Sequence, residues 1–232
     1  INLRGMIFNS VPEMQLANRL YDLQEVEQIC TGIGMNTTIT GNADTFRAKY
    51  GIAEPFLIYA GRKDSGKNVH TLLQYFAEYK KRNPDDPLQL VLIGGGKLAV
   101  PASVQDAVHD LGYVSQQDKY DALRAALFLC QPSKNESFSL VIMESWLCGR
   151  PVLVHSGCAV TKDFAQRAEG GLYFNSYFEF EGCVRWLETH PHEADQLGQN
   201  GRQFVLANFD WNVVTRKYLS FFQKLIEEGD MQ

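Results

Sequence analysis

Four charged side chains stand at spacings that suit one polyanionic, hydroxyl-bearing ligand: Arg62, Lys67, Glu136 and Glu144. Arg62 and Lys67 lie in Gly61-Arg62-Lys63-Asp64-Ser65-Gly66-Lys67-Asn68, directly after an apolar run, Phe56 to Ala60, that reads as a β-strand. A planar guanidinium beside a compact ammonium matches a diphosphate, and each charged hydrogen bond contributes about 1.5–3 kcal/mol. By itself the spacing suits a solvated Arg and Lys in a surface loop at least as well.

The second constellation is Pro132-Ser133-Lys134-Asn135-Glu136-Ser137-Phe138-Ser139-Leu140, running on to Glu144 and then Cys148-Gly149-Arg150-Pro151. Glu136 falls in a loop off a strand tip, and the helix expected to begin near Ser139 offers backbone N–H groups and a positive dipole end to an anion. Glu144 is about 7.5 Å along that helix at 1.5 Å per residue, roughly one phosphate-to-ribose step. A carboxylate there can accept ribose hydroxyls, as acidic residues do in dinucleotide sites. Taken alone, Glu144 reads rather as an ordinary solvated helix glutamate.

Positioning these groups requires a scaffold, and from Glu54 onward short β-rich runs alternate with amphipathic stretches. That pattern predicts an α/β fold with a Rossmann-like parallel sheet sandwiched by helices. Strands are expected at Phe56 to Ala60, Leu88 to Ile93, Gly112 to Val114, Ala126 to Cys130 and Pro151 to Val154. Helices are expected over Asn68 to Arg82, Gln117 to Ala125, Ser139 to Cys148, Phe178 to Leu187, Glu193 to Ala207 and Trp211 to Glu227. In open α/β sheets ligands bind at the carboxyl ends of strands, where both constellations fall.

Residues 1–53 read differently: a strand running into a turn at Ile7 to Ser10, a helix over Glu13 to Leu23, and a glycine-punctuated connection over Ile29 to Met35. This is expected to be the tail of a preceding domain and a crossover linker, with 54–232 forming the ligand-binding domain. The start at Ile1 fits a fragment of a longer protein.

Composition narrows the classes. The chain has 232 residues, 45% hydrophobic and 21% charged, which excludes disordered and fibrous classes. A net charge of −5 without a basic run argues against nucleic acid as the main partner. Five widely spaced cysteines, with no C-x-x-C, suggest neither a disulfide framework nor a zinc site and fit a reducing cytoplasm. No apolar run approaches the ~20 residues of a membrane span. The acceptor patterns at Asn36-Thr37-Thr38 and Asn135-Glu136-Ser137 are discounted as glycosylation sites for a cytosolic chain. His190-Pro191-His192 reads as a surface turn rather than a metal pair.

As an ordered set, Gly61-Arg62-x4-Lys67, Gly94-Gly95-Gly96, Leu111-Gly112-Tyr113-Val114 and Pro132-Ser133-x2-Glu136-x7-Glu144-x4-Gly149-x-Pro151 resemble the donor-binding, C-terminal domain of the retaining glycosyltransferases of family 4. These are glycosyl transferases of group 1 with the two-domain GT-B fold, and the similarity runs from about Phe56 to Tyr218. The resemblance implies a UDP-sugar or GDP-sugar donor whose hexose passes to a glycan or lipid acceptor, as in polysaccharide biosynthesis. It implies that Arg62 and Lys67 hold the diphosphate, with Gly61 and the backbone amides of Phe138, Ser139 and Leu140. Glu136 would face the sugar, Glu144 the ribose, and Tyr113 and Val114 the base. Two side-chain cations imply that no metal cofactor is needed, and no D-x-D motif occurs.

The sequence departs from the family at Ser137 and Ser139, where glycines usually flank the Phe. By the same resemblance the acceptor binds through a missing N-terminal domain, so this chain alone is expected to bind without turnover. The parent protein would work in the cytoplasm, peripheral at the inner face of a membrane. The final helix would pack toward that missing domain, leaving Val213, Tyr218, Phe221 and Phe222 open to self-association. A sugar-nucleotide epimerase of the same fold and a non-catalytic nucleotide-binding module are the alternatives.

Overall fold

The computed structural model describes residues 3–230, with side chains described to residue 227. Its main element is a six-stranded sheet in the order β5-β4-β3-β6-β7-β8, with every neighbouring pair parallel. The strands are β3 (Phe56–Ala60), β4 (Gln89–Ile93), β5 (Val108–Gly112), β6 (Phe128–Gln131), β7 (Val152–His155) and β8 (Gly171–Phe174). A separate two-stranded parallel pair, β1 (Gly5–Phe8) with β2 (Glu27–Cys30), precedes it.

All five residues of β3 are buried, as a central strand covered on both faces must be. Its side chains alternate between two cores. Phe56, Ile58 and Ala60 face a cluster with Phe138, Ile142, Trp146, Phe164 and Phe209, whereas Leu57 and Tyr59 face one with Leu72, Phe76, Tyr79, Phe174 and Phe180. The first cluster is roofed by helices α2 (Ala43–Tyr50), α4 (Gln116–Ala125), α5 (Leu140–Leu147), α6 (Ala159–Arg167) and α8 (Pro191–Phe209). The second is covered by α3 (Val69–Arg82) and α7 (Tyr177–Thr189). Trp146 is fully buried, donates its indole N–H to the Gly170 carbonyl at 2.8 Å, and lies so close to Gly201 of α8 that a Cβ there would sit 2.2 Å from its ring.

Several expectations shift. The strand placed at Gly112 to Val114 is β5, ending at Gly112, so Tyr113 and Val114 belong to the turn beyond it. Its alternation is masked in the sequence because β5 is an edge strand carrying His109 and Asp110. The connection over Ile29 to Met35 overlaps β2, and α2, α6 and β8 have no counterpart in the sequence reading. The segment His190-Pro191-His192 is the surface junction of two helices, as expected: His190 ends α7 and stacks on Trp186 at 4.9 Å, and Pro191 opens α8.

Helices α1 (Val11–Leu20) and α9 (Trp211–Asp230) complete the chain. On α9, Phe221 is buried against Gly5 and Val213 and Tyr218 are half-buried, so the exposed apolar stripe is Leu219, Phe222 and Ile226. Among the described residues no helix is long and apolar enough to cross a membrane.

Candidate functional site

The strand order reverses at β3: β4 and β5 lie on one side of it, β6 to β8 on the other. The crevice beyond the carboxyl ends at such a switch point is where open α/β sheets bind ligands. Here three strand tips are laced together. Gly61 N–H donates to the Ile93 carbonyl (2.9 Å), Gly94 N–H to Gly112 (2.7 Å) and Lys63 N–H to Gly95 (2.7 Å). Gly94 has φ +120°, and a Cβ on it would lie 2.1 Å from the Gly61 carbonyl oxygen, so no other residue fits. Beneath the turn, the fully buried Lys63 ammonium pairs with Asp110.

The loop after β3 is held from both ends. The Tyr59 hydroxyl donates to the Arg62 carbonyl at 2.6 Å, and burial first, then the nearby Asp64 and Glu136, raise that phenol far above its ordinary pKa, so it stays a donor. Asp64 caps a single 3₁₀ turn, Ser65–Lys67, accepting from Lys67 N–H at 3.1 Å. Asn68 follows in the left-handed region (φ +56°) and donates its amide to the Pro132 carbonyl at 2.9 Å. That bond ties the loop after β3 to the loop after β6, which sets Lys67 opposite Glu136. Their ammonium and carboxylate oxygens are 2.7 and 2.9 Å apart.

The loop after β6 is anchored by Phe138, which is 1% exposed and packs edge-on against Phe164 (5.2 Å) and Phe209 (5.0 Å). Only its backbone is left to meet a ligand. Ser139 caps α5 with φ +74°, a left-handed conformation that favours glycine, and its hydroxyl is buried with no hydrogen-bond partner. Glu144, on the wall of the crevice, receives a bond from Lys119 Nζ to Oε1 at 2.6 Å. Beside it, the Tyr120 phenol is pushed up by burial and then by Glu144, and accepts from the Gln116 amide at 2.6 Å.

These groups line two neighbouring cavities. One, of about 540 Å³, is bounded by Gly61, Arg62, Tyr113, Val114, Leu140 and Glu144 of the expected set, with Gly94, Gly95, Ser115, Gln116 and Lys119. Its size is that of a small-molecule site. Arg62 is largely exposed there, 3.5 Å from Asp64, and Tyr113 is 85% exposed with its hydroxyl over Gly95. The other, of about 620 Å³, lies between Glu13, Leu16 and Arg19 of α1 and Lys67, Lys134, Glu136 and Cys158. The expected set is therefore split: Lys67 and Glu136 face the second cavity, and Ser139 lies at the start of the helix behind the first. Lys119 was missed. It sits 25 positions from Glu144 on a different helix, and no local pattern in the sequence couples them. Among the described residues no three His, Cys, Asp or Glu side chains gather as metal ligands.

The switch-point crevice of this parallel α/β domain thus brings together cations, a glycine-rich turn and a buried carboxylate, groups whose chemistry suits a small anionic ligand with hydroxyls. The profile of the family described as Glycosyl transferases group 1 matches residues 42–204, and the chain belongs to that family. It is 26% identical over 94% of its length to a D-inositol 3-phosphate glycosyltransferase of Rhodococcus erythropolis, of which it covers 53%. The chain thus spans about half the length of the curated relatives it matches. Among solved structures it is similar to Anabaena HepE in complex with UDP (TM-score 0.80, 15% identity, 94% of this chain and 63% of that one). It is also similar to sucrose-phosphate synthase from Thermosynechococcus elongatus (TM-score 0.77, 22% identity, 97% and 59%). At these identities the structural likeness concerns the fold, which is that of GT-B glycosyltransferases.

Proposed function

We propose that this chain binds a nucleotide-diphosphate sugar and presents it for transfer of a hexose, with retention of anomeric configuration, to a glycan or lipid acceptor. Residues 54–232 carry the donor, and residues 1–53 belong to the tail of the acceptor-binding domain and its crossover. The observation that carries this reading is the single cavity lined by both Arg62 and Glu144 together with the glycine-laced tips of β3 and β4. Arg62 binds the diphosphate and Glu144 accepts from the ribose. The base rests beside Tyr113 and Val114, and Glu136 meets the sugar. The backbone of Gly61 and of Phe138, Ser139 and Leu140 lines the phosphate path.

As the anomeric C–O bond breaks, negative charge grows on the leaving diphosphate, and Arg62 with Lys67 stabilises it. Side-chain cations so placed take the part that a divalent ion plays in metal-dependent transferases. Support for a uridine nucleotide comes from HepE, a protein of similar fold whose structures hold UDP and UDP-glucose.

Calorimetric titration with UDP, GDP and ADP tests the reading, with the Arg62→Ala/Lys67→Ala double variant alongside. The expected result is base-selective binding that weakens by about 1.5–3 kcal/mol per lost cation. Equal affinity in both proteins, or no binding of any nucleotide, would overturn it.

A further inference from the structure

Glu144 is a poor ribose acceptor if left to itself. Its side chain has three rotatable bonds, and a carboxylate must present its oxygens in one plane to receive two neighbouring hydroxyls. Nothing within α5 fixes that plane. The constraint comes from α4, where Lys119 Nζ lies 2.6 Å from Glu144 Oε1. Both side chains are mostly shielded, 24% and 11% exposed, and both line the wall of the same cavity. Lys119 is itself steadied, its ammonium 5.1 Å above the Tyr120 ring.

The charge balance points the same way. An anionic ligand entering beside Arg62 would meet the Glu144 carboxylate in the same cavity, and Lys119 offsets that charge. Resting on the donor reading above, we infer that Lys119 is a positioning residue: by holding Glu144 Oε1 it orients the carboxylate toward the ribose and sets the preference for a ribonucleotide over its 2′-deoxy counterpart.

The test compares UDP with 2′-deoxy-UDP, which carry the same diphosphate, so that general electrostatic effects cancel in the ratio of their affinities. The unmodified chain is expected to favour UDP by about tenfold, the scale of one charged hydrogen bond. Lys119→Met should collapse that ratio toward one, Lys119→Arg should keep most of it, and Glu144→Gln should abolish it. Should Lys119→Met fail to melt cooperatively, Lys119→Gln is read in its place. A wild-type ratio in the lysine variant together with a lost ratio in Glu144→Gln would overturn the role of Lys119 and leave the ribose assignment standing. A ratio retained in Glu144→Gln would sink that assignment and the inference with it, and absence of UDP binding by the unmodified chain would remove the donor reading underneath both.

Discussion

Lys67 Nζ sits within hydrogen-bonding distance of both carboxylate oxygens of Glu136, 2.7 and 2.9 Å away, across the gap between the loops that leave β3 and β6. The cation proposed to hold the diphosphate and the carboxylate proposed to meet the sugar are thus each other's partner. On the proposed reading, an arriving diphosphate would compete with Glu136 for Lys67, and a carboxylate so displaced would be released toward the sugar hydroxyls.

Neutralising the carboxylate separates these two effects. Glu136→Gln is expected to tighten pyrophosphate binding by about 0.5–1 kcal/mol, the range of a partly exposed ion pair. It should also erase any preference for UDP-glucose over UDP. Calorimetry with the three ligands reads both, and weaker pyrophosphate binding in the variant would refute the competition.

How much of this was legible beforehand differs by element. The β3 run and its Arg62 and Lys67 read directly because a fully buried central strand is a continuous apolar run and the loop charges follow it. Glu136 and Glu144 were placed by their helix-and-loop spacing. Besides the short helices α2 and α6, what failed was long-range or at the edge. β5 carries His109 and Asp110 among its five positions, and β8, at the opposite edge, is the short stretch Gly171–Phe174 with an exposed Tyr173. Lys119 meets Glu144, and Asn68 meets the Pro132 carbonyl, only through the fold. The pairing of Lys67 with Glu136 was likewise invisible, since each residue had been given to the ligand.

Ser139 carries a cost that glycine at the same position would not. Its φ of +74° is a conformation that costs a non-glycine residue about 1–2 kcal/mol, and its buried, unpartnered hydroxyl adds a desolvation penalty of the same order. Both terms vanish in Ser139→Gly, against about 0.5–1 kcal/mol of extra chain entropy in the unfolded state. The variant is expected to be more stable by about 1–2 kcal/mol, raising the melting temperature by about 2–4 °C per kcal/mol for a chain of this size. Ser139→Ala, which keeps the strained backbone and loses only the hydroxyl, should gain less. A glycine variant that melts lower than the parent would show that the serine is held by interactions outside this account.

Two histidines are expected to make stability pH-dependent, with Glu188, whose carboxyl burial raises, acting in the opposite sense. His155 is buried, and burial first, then Lys134, hold its pKa below the ordinary value, with Glu179 opposing; His109 is lowered by burial alone. In the unfolded chain both take up protons near pH 6.5. As pH falls through that value the unfolded state therefore binds more protons than the folded one, and stability drops; above it the full contribution is present. The carboxylates whose pKa values are depressed, such as Asp118 and Glu181, act only at lower pH. Thermal melting should thus weaken between about pH 7 and pH 5. His155 Nδ1 accepts from Gly157 N–H at 2.9 Å, a bond the Oδ1 of asparagine can replace, so His155→Asn should flatten the slope. An unchanged slope would assign the effect elsewhere.

Gly94 is the point where fold and site depend on one another most directly. Its N–H holds the Gly112 carbonyl at 2.7 Å, and its missing side chain lets the Gly61 carbonyl approach to 2.1 Å of where a Cβ would be. Gly94→Ala cannot be absorbed by a rotamer change, because the obstacle is backbone and the φ of +120° is itself unfavourable for alanine. Either β4 shifts and loses the bond to Gly112, or the loop carrying Arg62 moves out of the crevice. The expected cost is about 3 kcal/mol or more of stability, the range of strain at a special backbone position combined with overpacking. Nucleotide affinity should fall along with it. Chemical denaturation and UDP titration of the same variant check both. If the variant were as stable as the parent and bound UDP equally well, the tips of β3, β4 and β5 would not form the rigid rim on which the placement of Arg62 in the cavity depends.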